Sequence, residues 1–299
     1  MKELVASLRE LLPAEDVLEN ESMALHTTFR AGGKASVFVR PHTVEELKQV
    51  LSLCVRCGVP YTVIGNGSNL LVSDAGYAGV VVCVRGADSS FPAGMMNSEI
   101  ATRVRDAGMS GFEFAAGIPG TLGGAVIMNA GAYGGEMKDI VTRVDALHVL
   151  TDGTVEEVSF TADEMQFGYR TSRLKGDPSY VVTGATLDLT PADPEVIGAR
   201  MKELAEKRRE KQPLEFPSAG STFKRPEGYY AGALIEEAGC KGLSVGDAQI
   251  SEKHAGFLIN RGSATATEIY QLMCEVQRRV KEHSGVALEP EVLLLGDFS

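Results

Sequence analysis

Residues 115–137, AAGIPGTLGGAVIMNAGAYGGEM, constrain the fold of this chain more than any other segment. They contain seven glycines and neither Lys nor Arg. Glycine lacks a Cβ atom, so it permits tight turns and close packing, and it lets a ligand approach backbone N–H groups. Composition alone leaves both explanations open, structural turns and a phosphate-binding loop.

A second glycine-bearing segment, residues 63–72 (VIGNGSNLLV), follows a predicted strand and contains G-x-G. Leu70 stands where a dinucleotide-binding Rossmann motif has its third glycine, and an apolar run follows instead of a helix. A Rossmann domain is therefore doubtful. We expect a tight loop whose backbone amides, with Ser68 and Asn69, form an anion-binding nest.

Length and charge narrow the class of protein. The chain has 299 residues, 44% of them hydrophobic, which is enough for a sizeable core and, at about 150 residues each, for two domains. Its 29 basic and 40 acidic residues give a net charge of −11, which disfavours a nucleic-acid partner. No run of about 18 apolar residues occurs and the N-terminus lacks a signal-peptide core, so we expect a cytoplasmic protein without membrane insertion.

The cysteines and histidines predict no metal or redox site. Five cysteines fit a reducing compartment better than a disulfide framework. Cys54 and Cys57 form a C-x-x-C near the end of a predicted helix, whereas redox pairs use the N-terminus of a helix, so core packing is expected. The five histidines show no metal-ligand spacing, and nucleotide-binding P-loop, hydrolase and metalloprotease signatures are absent.

Apolar periodicity predicts a mixture of helices and strands. Thr43 with Glu46, and Thr265 with Glu268, form capping boxes that predict helix starts. An Asp-Gly pair at residues 152–153 predicts a hairpin turn. The predicted helices are 43–57, 194–211, 232–238 and 265–284, and the predicted strands are 34–40, 61–64, 144–150, 155–160, 180–189 and 253–260. The highly charged helix 194–211 marks a domain boundary.

Three segments place polar groups where a core has no need of them. They are GYRTSRLK, PSAGSTFKRP and LEPEVLLLG, with the residues Tyr169, Arg170, Ser221, Lys224, Arg225, Glu289 and Glu291. Alternation along the third segment, interpreted as the head of an apolar strand, puts its two glutamates on one face. A carboxyl group there either faces solvent or is buried and protonated as an acid. Taken singly, each segment fits a structural role at least as well as a catalytic one.

Taken together, eight segments in order resemble the UDP-N-acetylenolpyruvoylglucosamine reductase (MurB) family over residues 27–296. The segments are TTFRAGG, IGNGSNLLV, EFAAGIPGTLGGAVIMNAGAYGGEM, GYRTS, KQPLEFPSAGSTFKRP, AGALIEEAGCKG, GDAQISEKHAGFLIN and LEPEV. The resemblance implies an α+β fold of the FAD-binding PCMH/vanillyl-alcohol-oxidase type with two lobes, and a C-terminal α+β substrate domain. The implied domains are 1–192 for FAD, with lobes of about 1–72 and 73–192, and 193–299 for substrate.

The resemblance implies a flavoenzyme of peptidoglycan precursor synthesis, and so of cell-wall biogenesis, cell shape and cell division. NADPH would reduce non-covalently bound FAD, and the reduced flavin would reduce UDP-N-acetylglucosamine enolpyruvate to UDP-N-acetylmuramate. Arg170 and Glu291 would stabilise the enolate-like intermediate, and Ser221 would protonate its α-carbon. The negative charge that develops there explains why the site needs a fixed cation and a proton donor.

The resemblance also assigns binding residues. Tyr169, Lys211, Lys224 and Arg225 match positions that contact the nucleotide sugar or cofactor phosphates. We expect a monomer whose ligands are NADPH and the UDP-sugar. The positions matched to FAD contacts are Ile64, Gly65, Asn66, Gly67, Ser68, Asn69, Leu70, Gly117, Ile118, Pro119, Gly120, Thr121, Gly123, Gly124, Ala125, Asn129, Ala130 and Gly131.

Two departures and two alternatives accompany the resemblance. Residues 84–108 look shorter than in the family, which usually has an additional strand there, and Leu293 stands where the family commonly has a basic residue. Residues 187–196 leave no room for the substrate loop of one subfamily, which indicates the loop-less type II. A flavin oxidase of the same fold is an alternative, although the glycine loops contain no His or Cys for a covalent flavin. A nucleotide-binding regulator without chemistry is another, but it would not need Arg170, Ser221 and Glu291 together.

Overall fold

The computed structural model describes residues 1–86 and 91–298. The chain divides into two compact units. The first comprises residues 1–20, 36–66 and 79–206, and the second comprises residues 21–35, 67–78 and 207–299. The second unit therefore contains two segments that the sequence assigned to the FAD-binding domain, and the functional boundary at residue 192 stays a prediction.

Where the sequence predicted bounds, most helices and strands of the described residues lie close to them. The α-helices are α1 (Lys2–Leu11), α2 (Val44–Arg56), α3 (Asn97–Asp106), α4 (Leu122–Ile127), α5 (Pro194–Lys211), α6 (Ala231–Glu237) and α7 (Ala266–Ser284). The strands are β1 (Val17–Ser22), β2 (Lys34–Val39), β3 (Tyr61–Ile64), β4 (Leu70–Val72), β5 (Tyr77–Cys83), β6 (Met109–Ser110), β7 (Gly131–Ala132), β8 (Gly135–Glu136), β9 (Val141–Val149), β10 (Val155–Thr161), β11 (Tyr180–Leu187), β12 (Thr190–Pro191), β13 (Ser218–Ser221), β14 (Ser244–Val245), β15 (Ala248–Ile250), β16 (Phe257–Asn260) and β17 (Leu293–Leu295).

The first unit is built on two sheets. One has the order β1-β2-β5-β3 with β3 and β5 parallel, and the other has the order β10-β9-β11 and is antiparallel. Helix α2 begins with the predicted capping box, since the Thr43 side chain accepts from the Glu46 N–H and the Glu46 carboxylate accepts in return. The predicted hairpin is confirmed, with Val155 opposite Val149 across the Asp152-Gly153 turn.

The second unit is an antiparallel sheet covered by a long helix. Its sheet has the order β13-β16-β15-β14, and a parallel pair joins β17 to β4. Helix α7 has the second predicted capping box, at Thr265 and Glu268, and it buries an apolar stripe that includes Ile269, Leu272 and Val276. Asp74 also binds the start of α7, because its carboxylate accepts from the N–H groups of Ala266 and Thr267.

The structure corrects two strand predictions. The strand predicted from residue 253 begins at Phe257, because residues 251–256 form a turn closed by the Ser251 hydroxyl. The segment after Leu288 does not run as one strand from Glu289. Pro290 has no N–H to donate to a ladder, and β17 starts only at Leu293, whose side chain is exposed.

The shortened segment 84–108 is described in part. Residues 87–90 lie outside the described residues. Within the described part, residues 84–86 and 91–96 contain no strand, and the isolated bridges of Pro92 to Gly184 and of Met96 to Thr121 tie the segment to its neighbours. Between β11 and α5 the chain forms only the short strand β12, so no inserted loop is present there.

Candidate functional site

The two glycine-bearing loops contact each other in the first unit. The Asn66 side-chain amide donates to the Pro119 carbonyl oxygen at 2.7 Å. A Cβ atom on Gly65 would lie 2.1 Å from the Thr121 hydroxyl oxygen, so only glycine permits this approach. The sequence predicted both loops separately, and the structure brings residues 64–66 against residues 119–121.

Most of the amides in the second loop already have backbone acceptors. Ile118 donates to Ala115, Gly120 donates to Ile118, and Gly123 donates to Ala93, each at 2.9 Å. These N–H groups already donate hydrogen bonds within the protein, so we do not expect them to bind phosphate directly. If these residues contact a cofactor, they do so through other atoms.

The glycines of this stretch divide into packing positions and open positions. A Cβ atom on Gly123 would lie 2.9 Å from that of Ala93, and one on Gly135 would lie 2.7 Å from the Phe114 ring. Gly124 is different, because it is exposed and a Cβ atom there would meet only the Thr121 hydroxyl oxygen, at 3.9 Å. Gly124 therefore leaves open space at the surface of the loop.

Two buried polar side chains beside the glycine loops lack partners among the described residues. In the first unit Asn97 is fully buried, neither atom of its amide group is hydrogen-bonded, and its backbone N–H donates to the Gly120 carbonyl oxygen. In the second unit the Thr28 hydroxyl is buried and unpaired, and its backbone N–H donates to the Gly67 carbonyl oxygen. Unpaired buried groups are costly and point to an additional partner, such as a polar cofactor.

Sequence reasoning missed Asn97 and Thr28. The signal for Asn97 was present, since buried positions of α3 include Asn97, Ile100, Ala101 and Val104, the spacing of an apolar helix face. A single amide on such a face has no place in a core unless something pairs with it.

Asn129 connects the glycine-rich stretch to the turn that carries Arg170. Its buried side-chain amide donates to the Gly168 carbonyl oxygen at 2.9 Å and to the Glu136 carboxylate at 3.1 Å. Its side-chain oxygen accepts from the Lys138 N–H at 2.9 Å. Its φ angle of +43° suits Asn better than most other residues. These contacts give Asn129, predicted as a cofactor contact, a structural role.

Arg170 is fixed at both its backbone and its side chain. It has a φ angle of +54°, in a turn where Gly168 and Thr171 exchange backbone hydrogen bonds. A left-handed angle at a residue other than glycine costs energy and persists only where the surroundings enforce it. Its guanidinium donates to the Gly131 carbonyl oxygen at 3.0 Å and lies 5.1 Å from the Tyr169 ring centroid. The half-buried guanidinium is thereby anchored to the glycine-rich stretch.

A carboxylate accompanies this cation. The side-chain hydrogen bond from Lys138 lowers the pKa of Glu136, and the hydrogen bond from Asn129 and the charge of Arg170 act in the same direction, against the effect of burial. Glu136 is therefore ionised at neutral pH, and its negative charge helps to hold the Arg170 turn.

In the second unit a bulge presents Ser221 to solvent. Ser218 pairs with Ile259 and Ser221 pairs with Phe257, so β13 has one residue more than β16 between these pairs. Gly220 within the bulge has a φ angle of +78°. Bulges of this kind occur next to active sites, where they redirect a side chain.

The backbone next to Ser221 also binds Glu291. Thr222 accepts from the Glu291 N–H at 2.9 Å and donates to the Gly256 carbonyl oxygen at 2.9 Å. The Asn69 side-chain amide donates to the Glu291 carbonyl oxygen at 3.0 Å. Two predicted catalytic residues, Ser221 and Glu291, therefore lie on neighbouring segments, and Asn69 of the first glycine motif binds the second of these segments.

The remaining predicted binding residues have distinct surroundings. The two glutamates have different surroundings. Glu289 forms an ion pair with Lys224, whereas Glu291 is half-buried. The guanidinium of Arg225 lies 4.0 Å from the ring centroid of the exposed Tyr230. Tyr169 is exposed, and Lys211 is the exposed last residue of α5.

The described residues contain neither a cluster of three or more metal-ligating side chains nor a helix with the length and apolarity needed to cross a bilayer. Cys54 is buried at the end of α2, and burial raises the pKa of its thiol to about 12, so it is not a thiolate at neutral pH. The C-x-x-C sequence is thus accounted for by packing at Cys54, with Cys57 exposed.

Comparisons with known proteins agree with both units. A model of the FAD binding domain matches residues 35–159, and a model of the UDP-N-acetylenolpyruvoylglucosamine reductase C-terminal domain matches residues 212–295. The UDP-N-acetylenolpyruvoylglucosamine reductase of Agathobacter rectalis is 45% identical over 98% of both chains. That of Clostridioides difficile is 44% identical over 99% of both. The chain belongs to the UDP-N-acetylenolpyruvoylglucosamine reductase family.

A solved structure supports the family fold. The crystal structure of the UDP-N-acetylenolpyruvylglucosamine reductase (MurB) from Thermus caldophilus is similar with a TM-score of 0.79 and 38% identity, over 94% of this chain and 99% of that one. The expected α+β fold with an FAD-binding domain is confirmed, and the chain is an FAD-binding oxidoreductase of this family. In the first unit, the contact of the two glycine loops, the open face at Gly124 and the unpaired Asn97 fit a polar cofactor of this kind.

Proposed function

We propose that this chain catalyses the NADPH-dependent reduction of UDP-N-acetylglucosamine enolpyruvate to UDP-N-acetylmuramate, the reaction of a UDP-N-acetylmuramate dehydrogenase. The observation that carries the proposal is the pairing of the Ser221 and Glu291 segments, which brings a hydroxyl and a carboxyl group of the expected types onto adjacent backbone. A protein that only bound a nucleotide sugar would have no need of a proton donor beside a carboxyl group.

Ser221 is the proposed proton donor to the α-carbon of the substrate. An aliphatic hydroxyl is a weak acid in water, so it donates well only to a strongly basic carbon held at hydrogen-bond distance. The exposure of Ser221 on a bulge allows such an approach, and the hydrogen bonds of Thr222 restrict the movement of its backbone. Preorganisation of this kind lowers the cost of reaching the transition state.

Arg170 and Glu291 are the proposed stabilisers of the enolate-like intermediate. A guanidinium already fixed by carbonyl oxygens loses little freedom when negative charge develops on the substrate, which is the condition for effective electrostatic stabilisation. An arginine guanidinium supplies positive charge without gaining or losing a proton during the reaction.

FAD, when bound, supplies the hydride chemistry that no side chain can perform. The proposed contacts on the protein side are residues 64–70 and 117–131, with Gly124 as the open position against which the cofactor fits. Asn97 is an additional candidate to pair with a polar group of the cofactor. Neither glycine loop contains a His or Cys, in keeping with a non-covalent flavin.

Lys211, Lys224, Arg225 and Tyr169 are the proposed contacts of the nucleotide sugar or cofactor phosphates. Their support is accessibility and charge, since all are at least partly exposed and three are cationic. Local positive charge of this kind attracts an anionic substrate even though the whole chain has a net charge of −11.

The proposed reaction belongs to peptidoglycan precursor synthesis, and through it to cell-wall biogenesis, cell shape, the cell cycle and cell division. Because NADPH and a UDP-sugar are metabolites of the cytoplasm, we place the enzyme there, acting as a monomer.

The Ser221→Ala variant tests this function. We expect NADPH to reduce its bound flavin at nearly the wild-type rate, while reoxidation by the enolpyruvyl substrate slows by about 10²-fold to 10⁴-fold, the usual contribution of a general acid. Anaerobic stopped-flow absorbance at the flavin band measures the two half-reactions separately. Ser244→Ala removes another exposed serine of the same sheet and serves as the control. Equal loss in both half-reactions would contradict the role of Ser221.

A further inference from the structure

His254 lies in the turn 251–256, which leads into β16, the strand paired with the bulge that carries Ser221. The Gly256 N–H donates to Nδ1 of His254 at 3.1 Å. A backbone N–H can donate only to an unprotonated ring nitrogen, so Nδ1 carries no proton and the imidazole is neutral. Any proton on the ring is therefore on Nε2.

The contact between the imidazole and Gly256 is close. A Cβ atom on Gly256 would lie 3.0 Å from Cε1 and 3.2 Å from Nδ1 of His254. The imidazole also packs against the Phe257 ring in a T-shaped arrangement, with centroids 5.0 Å apart. The imidazole thus packs directly against Gly256, and a larger residue at position 256 would displace it.

A short series of hydrogen bonds connects this turn to Ser221. Gly256 donates to His254 through its N–H and accepts from the Thr222 N–H through its carbonyl oxygen, at 2.9 Å. Thr222 follows Ser221 directly, its hydroxyl accepts from the Leu258 N–H, and its carbonyl oxygen accepts from the Glu291 N–H. The backbone of Gly256, which lies between these two hydrogen bonds, therefore helps to determine where Thr222, and with it Ser221, is held.

We propose that the neutral imidazole of His254 is a positioning residue for Ser221, because it holds the backbone of Gly256, whose carbonyl oxygen accepts from the Thr222 N–H. The proposal rests on the proposed function, in which Ser221 is the proton donor. His254 does not touch the reacting atoms in this account, and its effect on the reaction is conveyed by the backbone of Gly256 and Thr222.

The surroundings of His254 favour the neutral form. Burial lowers its pKa, and the positive charge of Lys241 acts in the same direction, whereas a hydrogen bond with the His254 backbone and the negative charge of Glu236 oppose it. Lys241 and Glu236 form an ion pair with each other at 3.0 Å, which limits the net field at the ring. Protonation on acidification would place a proton on Nδ1 and break the bond from Gly256. Because the folded-state pKa is depressed, this contribution is present above the unfolded value of about 6.5 and is lost as the pH falls through the folded value.

The first test is the tautomer of His254 in the FAD-loaded enzyme. In protein labelled with ¹⁵N at histidine, we expect Nδ1 of His254 to give the chemical shift of an unprotonated ring nitrogen near neutral pH, and Nε2 to give that of a protonated one. The signals are assigned by their absence from the His254→Asn variant. A protonated Nδ1 at neutral pH would overturn the proposal.

The second test uses two variants in single-turnover kinetics. Asn places its side-chain oxygen where His254 has Nδ1, so His254→Asn should keep substrate reduction within about threefold of wild type and lose the acidic decline in rate. His254→Leu has no acceptor and should slow substrate reduction by about tenfold or more while leaving flavin reduction by NADPH unchanged. His283→Asn, at an exposed histidine of α7, is the control.

The outcomes separate the two proposals. Wild-type substrate reduction in His254→Leu, or an acidic decline that persists in His254→Asn, would contradict the positioning role. If Ser221→Ala left substrate reduction intact, the proposed role of Ser221 would fail, even where the tautomer of His254 was as expected.

Discussion

The regions around Arg170 and Ser221 hold their proposed functional groups in different ways. At Arg170 the side chain itself is fixed, because its guanidinium binds backbone carbonyl oxygens and its turn is held by the buried Asn129. At Ser221 the backbone is fixed, through Thr222, while the hydroxyl stays exposed. A charge that stabilises an intermediate benefits from immobility, whereas a proton donor needs access to its acceptor.

Substitutions in the two regions should therefore have different effects. Around Arg170, function depends on side chains that also stabilise the fold, so changes there should lower stability and activity together. Around Ser221, the backbone network and the functional hydroxyl are separate, so the hydroxyl can be removed at little cost in stability. The following predictions begin with the first region and continue to the glycine loops, in order of expected effect.

The Asn129→Leu variant should give the larger change. It removes the partners of the Gly168 carbonyl oxygen and the Lys138 N–H, and it places Leu at a positive φ angle. We expect the free energy of unfolding to fall by about 4 kcal/mol. Urea unfolding of the FAD-free protein measures the change.

Asn97→Leu is the matched control for this prediction. Both asparagines are fully buried, but the Asn97 side chain has no hydrogen-bond partner among the described residues. Replacing an unpaired amide by an apolar group should leave stability unchanged or raise it by about 1 kcal/mol. Equal destabilisation by the two substitutions would contradict the distinction between a paired and an unpaired buried amide.

A smaller effect is expected at the glycines. Gly65→Ala introduces a clash with Thr121 and should lower the free energy of unfolding by about 1 to 2 kcal/mol.

Gly124→Ala, inside helix α4 and without a close neighbour, should keep or slightly raise stability but weaken FAD binding, because it fills the open face. Flavin fluorescence titration measures the affinity. Unchanged FAD affinity in Gly124→Ala would show that Gly124 is not part of the proposed FAD site.

Local signals in the sequence predicted much of the fold. The capping boxes at Thr43 and Thr265, the Asp-Gly hairpin turn and the bounds of the charged helix α5 are confirmed, because each depends on residues close in sequence. The eight ordered motifs identified the family. The assignment of individual catalytic and binding residues stays a prediction.

Contacts between distant segments were not predictable. The ion pair of Lys224 with Glu289 joins residues that are 65 positions apart. The Thr222 bonds to Gly256 and Glu291 depend on how three segments pair, and the late start of β17 depends on Pro290. Pairing of this kind is set by tertiary packing and register, for which a single sequence contains only weak signals.

We propose that one flavin site accepts electrons from NADPH and delivers them to an enolpyruvyl ether. The most direct measurement is the anaerobic absorbance spectrum of the purified, FAD-loaded protein during two additions. NADPH should bleach the flavin band, and UDP-N-acetylglucosamine enolpyruvate should then restore it while UDP-N-acetylmuramate is formed. A flavin that NADPH reduces but the enolpyruvyl substrate leaves reduced would contradict the account.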